Sequence, residues 1–146
     1  MNRDQCRMCF GCGADNPHGL RLQVERQDDG TWLAEFIPQD CHCGWPGVVH
    51  GGVLCTALDE VMSYILFGEG LAAVTARMTA EFKHVAAPGD HLTVRAFPTR
   101  ATRRVVDARS EMRRADGTLV CSAEARFLVL SAEQMRAMGL RGSPGA

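Results

Sequence analysis

The stretch His50-Gly51-Gly52-Val53-Leu54-Cys55-Thr56-Ala57-Leu58-Asp59-Glu60-Val61-Met62-Ser63-Tyr64-Ile65-Leu66-Phe67-Gly68 carries the longest helical pattern in the chain. Leu54, Leu58, Val61 and Ile65 recur at three- and four-residue spacing, with Ala57 alongside, so one stripe of the helix is apolar. Gly68 and Gly70 stop the pattern, leaving a helix of about 16 residues. Apolar side chains fill most of the remaining circumference, which predicts a buried helix. Its few polar positions, Thr56, Asp59, Glu60 and Ser63, therefore need a reason.

On both sides of this helix the period changes from helical to alternating. Before it, Leu20, Leu22 and Val24 alternate with Arg21, Gln23 and Glu25, and Gln27-Asp28-Asp29-Gly30 turns the chain into a second strand over Thr31 to Ile37. Pro38 to Pro46 reads as irregular. After the helix come strands over Ala73 to Val85, His91 to Pro98, Arg104 to Arg113 and Leu119 to Leu130. Pro88-Gly89-Asp90 and Asp116-Gly117 supply turns between them. Ser131 is placed to cap a short helix, and the tail from Gly142 to Ala146 is expected to fray. The predicted class is α+β: an antiparallel sheet wrapped around one long helix. The expected division is a Cys-rich arm over 1–19, the folded domain over 20–140 and a tail over 141–146. A sheet this small with one helix leaves a face and an edge poorly covered, which predicts a homodimer or a dimer of dimers.

The totals exclude several classes. Sixteen basic against seventeen acidic side chains give a net charge of −1, so nothing in bulk predicts nucleic-acid or membrane-surface binding. No apolar run reaches the roughly 20 residues of a membrane helix. The opening MNRDQCRMCF lacks the apolar core of a secretory signal, so a cytoplasmic address is the default. Thiols there stay reduced. The seven cysteines, Cys6, Cys9, Cys12, Cys41, Cys43, Cys55 and Cys121, are an odd number and read better as thiols or metal ligands than as a disulfide framework.

The glycine pair opening the helix permits a tight turn and close approach by a ligand. First-turn amides lack internal partners and point outward at the positive end of the helix dipole, where a thioester carbonyl or oxyanion would be held. Asp59, two turns inside, borders Cys55, Met62 and Leu66 at the margin of the apolar stripe. A carboxylate there is costly unless paired or functional, and partial burial would move it toward the range useful to a base. Glu60, beside Thr56 and Ser63, fits a solvated acid or a salt bridge.

His50-Gly51-Gly52 followed by Asp59 resembles the motif of the PaaI-like group of hotdog acyl-CoA thioesterases. Cys9-Phe10-Gly11-Cys12-Gly13 and Asn16-Pro17-His18-Gly19-Leu20 are similar to the opening of such chains. Gly44-Trp45-Pro46-Gly47-Val48-Val49 and the run from Thr75-Ala76-Arg77 to Pro88-Gly89-Asp90 match as well, so the resemblance spans roughly residues 6–130. It implies a hotdog fold and hydrolysis of an acyl-CoA or aryl-CoA thioester without a cofactor or catalytic metal. It further implies that Gly51 donates its amide to the thioester carbonyl and that Asp59 is general base or nucleophile across a dimer interface. Thr75 would orient the attacking water, and His50 would hold the turn and the carbonyl. Where several relatives carry Asn or Gln before the turn, this chain has Cys43 and Gly44, a departure in the second polar contact.

A CoA substrate carries phosphates, which makes Gly52 at the turn, Lys83, His84 and the cluster Arg100, Arg103, Arg104, Arg109, Arg113 and Arg114 candidates for substrate binding. Alternating Arg on an antiparallel strand is equally the reading of a solvated face. Met62, Leu66 and Phe67 are candidates for an acyl pocket. The alternative reading is a non-catalytic acyl-CoA-binding module. In it Cys6, Cys9 and Cys12, with Cys41-His42-Cys43, would hold a structural zinc.

Overall fold

The computed structural model describes residues 6–139. The expected frayed tail, and the first five residues of the arm, lie outside them. The elements are β1 (Val24–Arg26), β2 (Trp32–Phe36), β3 (Cys43–Trp45), β4 (Val48–Val49), α1 (Gly51–Gly68), β5 (Ala73–Phe82), β6 (Leu92–Ala101), β7 (Val105–Arg114), β8 (Leu119–Val129) and α2 (Ala132–Ala137). Six strands form one antiparallel sheet in the order β1-β2-β6-β7-β8-β5, and β3 and β4 form a separate two-stranded ribbon. The α+β reading holds: α1 packs against β2, β5, β6, β7 and β8.

Why the helix sits there follows from side-chain size. Leu58, Val61 and Met62 of α1 have no exposed surface. They meet a sheet face whose central strands offer alanines: Ala96 on β6, Ala108 on β7, and Ala123 and Ala125 on β8, all buried. Ala108 stands directly opposite Ala125 in the register. Short side chains on the sheet let the helix approach closely, while Phe36, Met112 and Phe127 add bulk to the same core. The alternation read from the sequence decides which face this is. Along β7, Val106, Ala108, Ser110 and Met112 point inward, while Arg109 and Arg113 point out.

Gly68 and Trp32 fix the far end of the helix: a methyl group added at Gly68 would overlap the Trp32 indole. The Asp116-Gly117 turn forms as expected, with Gly117 at φ 87° and its amide bonded to the Arg114 carbonyl at 2.9 Å. Ser131 caps α2 through a reciprocal pair with Gln134.

Three expectations change. Leu20 and Leu22 are not paired with β2; their amides bond to the carbonyls of Phe10 and Gly11 at 2.8 and 3.0 Å. Their alternation marks pairing with the arm, and β1 is only three residues long. Pro38 to Pro46 is not irregular: it contains a 3-10 turn over Asp40–His42 and the β3 strand. The ribbon register shifts between Cys43 and Trp45, which masks any period-2 signal. Finally, α1 is 18 residues and, by length and composition alone, long and apolar enough to cross a membrane. It is apolar because the sheet wraps around it.

Candidate active site

His50 is the N-cap of α1, and its Nδ1 accepts the Gly52 amide at 2.9 Å. Its carbonyl accepts from Val53 at 3.0 Å, and its own amide reaches the His42 carbonyl at 2.8 Å. A histidine at this position therefore caps the turn and uses up the Gly52 amide in doing so. Among the described residues nothing accepts a hydrogen bond from the Gly51 amide. That N–H stands at the positive end of an 18-residue helix, a place suited to an oxygen carrying partial negative charge. The Phe82 ring lies against Gly51, 3.3 Å from where a Cβ would be.

The departure before the turn has a steric reason at one of its two positions. A Cβ at Gly44 would stand 2.9 Å from the His50 ring, so an Asn or Gln there would displace the cap. Cys43 is half-buried in the ribbon, opposite Val49.

Asp59 is half-buried on α1, and the Thr75 hydroxyl donates to its Oδ1 at 2.9 Å. Burial pushes the Asp59 carboxyl above the usual range, and the Thr75 hydrogen bond pulls it part of the way back. Thr75 reaches it from β5 where the pairing with β8 shifts register between Thr75 and Arg77. The extra residue, Ala76, re-aims the strand beside the carboxylate. Cys55, one turn before Asp59, has its thiol raised by burial and by the carboxylate. The other polar positions of α1 are explained locally. The Thr56 and Ser63 hydroxyls bond to carbonyls four residues back, at 2.9 and 3.0 Å.

Of the candidate phosphate contacts, Lys83 pairs with Glu81 at 2.6 Å and the His84 ring bonds to the Leu119 carbonyl at 2.9 Å. Both follow Phe82, which touches the Gly51 turn. The arginines of β7 are engaged, Arg109 and Arg113 on the outer face of the sheet and Arg114 at the strand end. Arg109 stacks over Phe97 at 4.5 Å, Arg113 pairs with Glu111 at 2.8 Å, and Arg114 with Asp90 at 3.0 Å. Of the acyl-pocket candidates, Met62 and Leu66 are buried in the core between helix and sheet, and Phe67 is packed against it.

Glu60 is not a solvated acid. It is half-buried beneath the N-terminal loop, with Cys9 Sγ 3.6 Å from its Oε2. Burial and a hydrogen bond with Glu60 push the Cys12 thiol up to about 12. Cys41 and Cys43 do not join this group: Cys41 lies exposed beside Gln39.

Comparison with known proteins agrees with this architecture. The model of the thioesterase superfamily matches residues 46–121, just over half of the chain. Among curated proteins no sequence matches it significantly. Similar solved structures include a thioesterase protein with coenzyme A from Streptococcus pneumoniae, at 21% identity and a TM-score of 0.70 over 75% of this chain and 86% of that one. The PaaI protein of E. coli, from its phenylacetic acid degradation operon, matches at 20% identity and 0.71 over 77% and 81%. A phenylacetic acid degradation-related protein of Ralstonia eutropha matches at 27% identity and 0.68 over 75% and 86%. The chain has the hotdog fold of the PaaI protein and its Ralstonia eutropha relative, and because the family match begins just before the capped turn and runs through the helix into β8, it belongs to the thioesterase superfamily.

Proposed function

We propose that the protein hydrolyses acyl-CoA or aryl-CoA thioesters, with Asp59 as general base or nucleophile and the Gly51 amide polarising the carbonyl, in a site shared by two copies of the chain. The observation that carries this reading is the half-buried Asp59 carboxyl, raised by burial and held by one hydroxyl. A carboxylate in that setting is poised to take a proton from water near neutral pH. Water oxygen then attacks the carbonyl carbon, the C–S bond breaks, and the proton passes to the departing thiolate. Attack by Asp59 itself gives a mixed anhydride that water opens, with the same net balance.

Gly51 and Asp59 are eight residues apart on one helix, about 12 Å along its axis. A reacting carbonyl spans far less, since the attacking atom stands about 3 Å from its carbon. One chain therefore supplies the amide at the start of α1 and the acid at its middle, too far apart to share a carbonyl, and a second copy is needed to bring the pair together. The Streptococcus pneumoniae relative exists in variants with an aspartate or a threonine replaced by alanine, sixteen positions apart. Asp59 and Thr75 have the same spacing, which supports giving them linked roles. That relative carries coenzyme A, which supports the choice of substrate class.

The test is free-thiol release from a panel of acyl-CoA and aryl-CoA thioesters, with Asp59→Asn beside the wild type. Expected is turnover of at least one member and a loss of about 10²–10⁴-fold in kcat in the folded variant. A folded oligomer that binds CoA thioesters and turns over none of them is instead a binding module, and the enzymatic reading fails.

A further inference from the structure

The thioester chemistry has no use for Cys9, Cys12 and Glu60, yet the fold brings them to one point. One sulfur from each cysteine and a carboxylate oxygen of Glu60 all lie within 4.8 Å of one another, and all three residues are half-buried. Zinc bonds of about 2.3 Å to sulfur and about 2.1 Å to oxygen, at a tetrahedral angle, set the two ligand atoms about 3.6 Å apart. Cys9 Sγ and Glu60 Oε2 stand 3.6 Å apart. The loop is shaped around this point. Gly11, between the two cysteines, lies so close over Glu60 that an added methyl group would overlap the carboxyl. The Cys9 amide bonds to the Cys6 carbonyl at 2.9 Å and the Gly13 amide to the Cys9 carbonyl at 2.9 Å, which folds all three cysteines into successive turns. From α1, Tyr64, one turn beyond Glu60, hydrogen-bonds to the Cys12 thiol, the kind of outer contact that orients a metal ligand.

We propose that Cys9, Cys12 and Glu60, completed by Cys6 of the same loop, bind a zinc-class divalent cation that fastens the N-terminal loop to the middle of α1. Thiolate ligands select zinc over magnesium or calcium. Binding releases the thiol protons, and the cation balances the negative charge gathered there. Four ligands within the loop and one helix close the coordination sphere, so the site is structural. A disulfide between Cys9 and Cys12 is the competing chemistry, and it gives the Glu60 carboxyl no part. Cys6 Sγ stands outside the 4.8 Å group and would join by a turn of its side chain, on the loop where the Cys9 amide bonds to the Cys6 carbonyl at 2.9 Å. Cys41 and Cys43 belong to another segment, and Cys41 lies exposed beside Gln39.

The test titrates the reduced, chelator-treated full chain with cobalt(II), followed by displacement with zinc. Expected is a thiolate-to-cobalt charge-transfer band with tetrahedral visible bands, saturating at about one ion per chain. Cys9→Ser should abolish the band. Glu60→Gln, nearly isosteric and checked for folding by circular dichroism, should keep a weaker band and lose at least about tenfold in affinity. Cys6→Ser should also weaken binding, and Cys41→Ser with Cys43→Ser should leave it unchanged. Zinc should raise the melting temperature of the wild type and not that of Cys12→Ser. The proposal is overturned by a fully reduced wild type that takes up no cobalt, by a Cys9–Cys12 disulfide in protein isolated under reducing conditions, or by affinity that survives Glu60→Gln. An unchanged affinity in Cys6→Ser overturns the assignment of the fourth ligand.

Discussion

Asp59 carries a stability consequence whose sign is opposite to that of an ordinary surface acid. Burial raises its carboxyl above the value in the unfolded chain. Between those two values the native state holds more protons than the unfolded state, so stability falls as pH rises through that window. Below the unfolded value the penalty is absent; above the raised native value it is fully present. Asp59→Asn should therefore melt higher than the wild type at pH 7 while losing turnover, and the two melting curves should converge as pH drops below the usual aspartate range. A variant that melts lower at pH 7 would contradict the buried-acid reading. Thr75→Ala removes the one contact that favours the charged carboxyl, so the acid limb of the pH–rate profile should move to higher pH. The Gly51 amide can be tested by itself because Gly51 is the first helical residue, where proline is accepted. His50, at φ −64° and ψ 132°, already has the conformation that a following proline demands. Gly51→Pro should keep the fold and cut kcat by about 10²–10³, whereas Gly51→Ala, which keeps the N–H, should retain most of it.

At the level of elements, the site is held by the start and the middle of α1 and by the bulge in β5. His50→Ala removes the cap and should cost about 1 kcal/mol in chemical denaturation, with a further drop in turnover as the Gly51 amide loosens. Leu58 has no exposed surface, and Leu58→Ala should cost about 2–5 kcal/mol. These elements differ in how far the chain announces them. A repeat of Leu54, Leu58, Val61 and Ile65 is local, so the helix and the glycine turn that opens it were readable residue by residue, while the His50 cap came from the structure. The strand over Leu92–Ala101 was also readable, although it runs on past the predicted end at Pro98. The register shifts between Pro98 and Arg100, where proline has no amide for the ladder. The bulge at Ala76 had no sequence signature, because two residues facing one on β8 is a property of the pair of strands.

In the whole molecule, β5 is a ten-residue edge strand, and an open edge of that length is normally covered. Large apolar side chains are exposed near it or near the capped turn: Phe82 at 52%, Val85 at 68% and Trp45 at 77%. A shared site built on that edge predicts that Val74→Lys yields a monomer by light scattering and loses at least about 10²-fold in turnover, with Gly51, Asp59 and Thr75 untouched. A wild-type monomer that turns over thioesters at assay concentration would sink the two-copy reading. The chain's own order settled the α+β class, the buried helix and the position of the carboxylate at the stripe's margin, since periodicity reports which side of an element is apolar. Which element covers that side was decided only by the tertiary structure. Asp59 meets Thr75 from across the helix–sheet interface. Glu60, read as solvated from its place on the helix, lies under a loop that begins more than forty residues earlier. A helical wheel places a side chain on a face but not beneath a neighbour, because burial is a property of the packed pair and not of either segment alone.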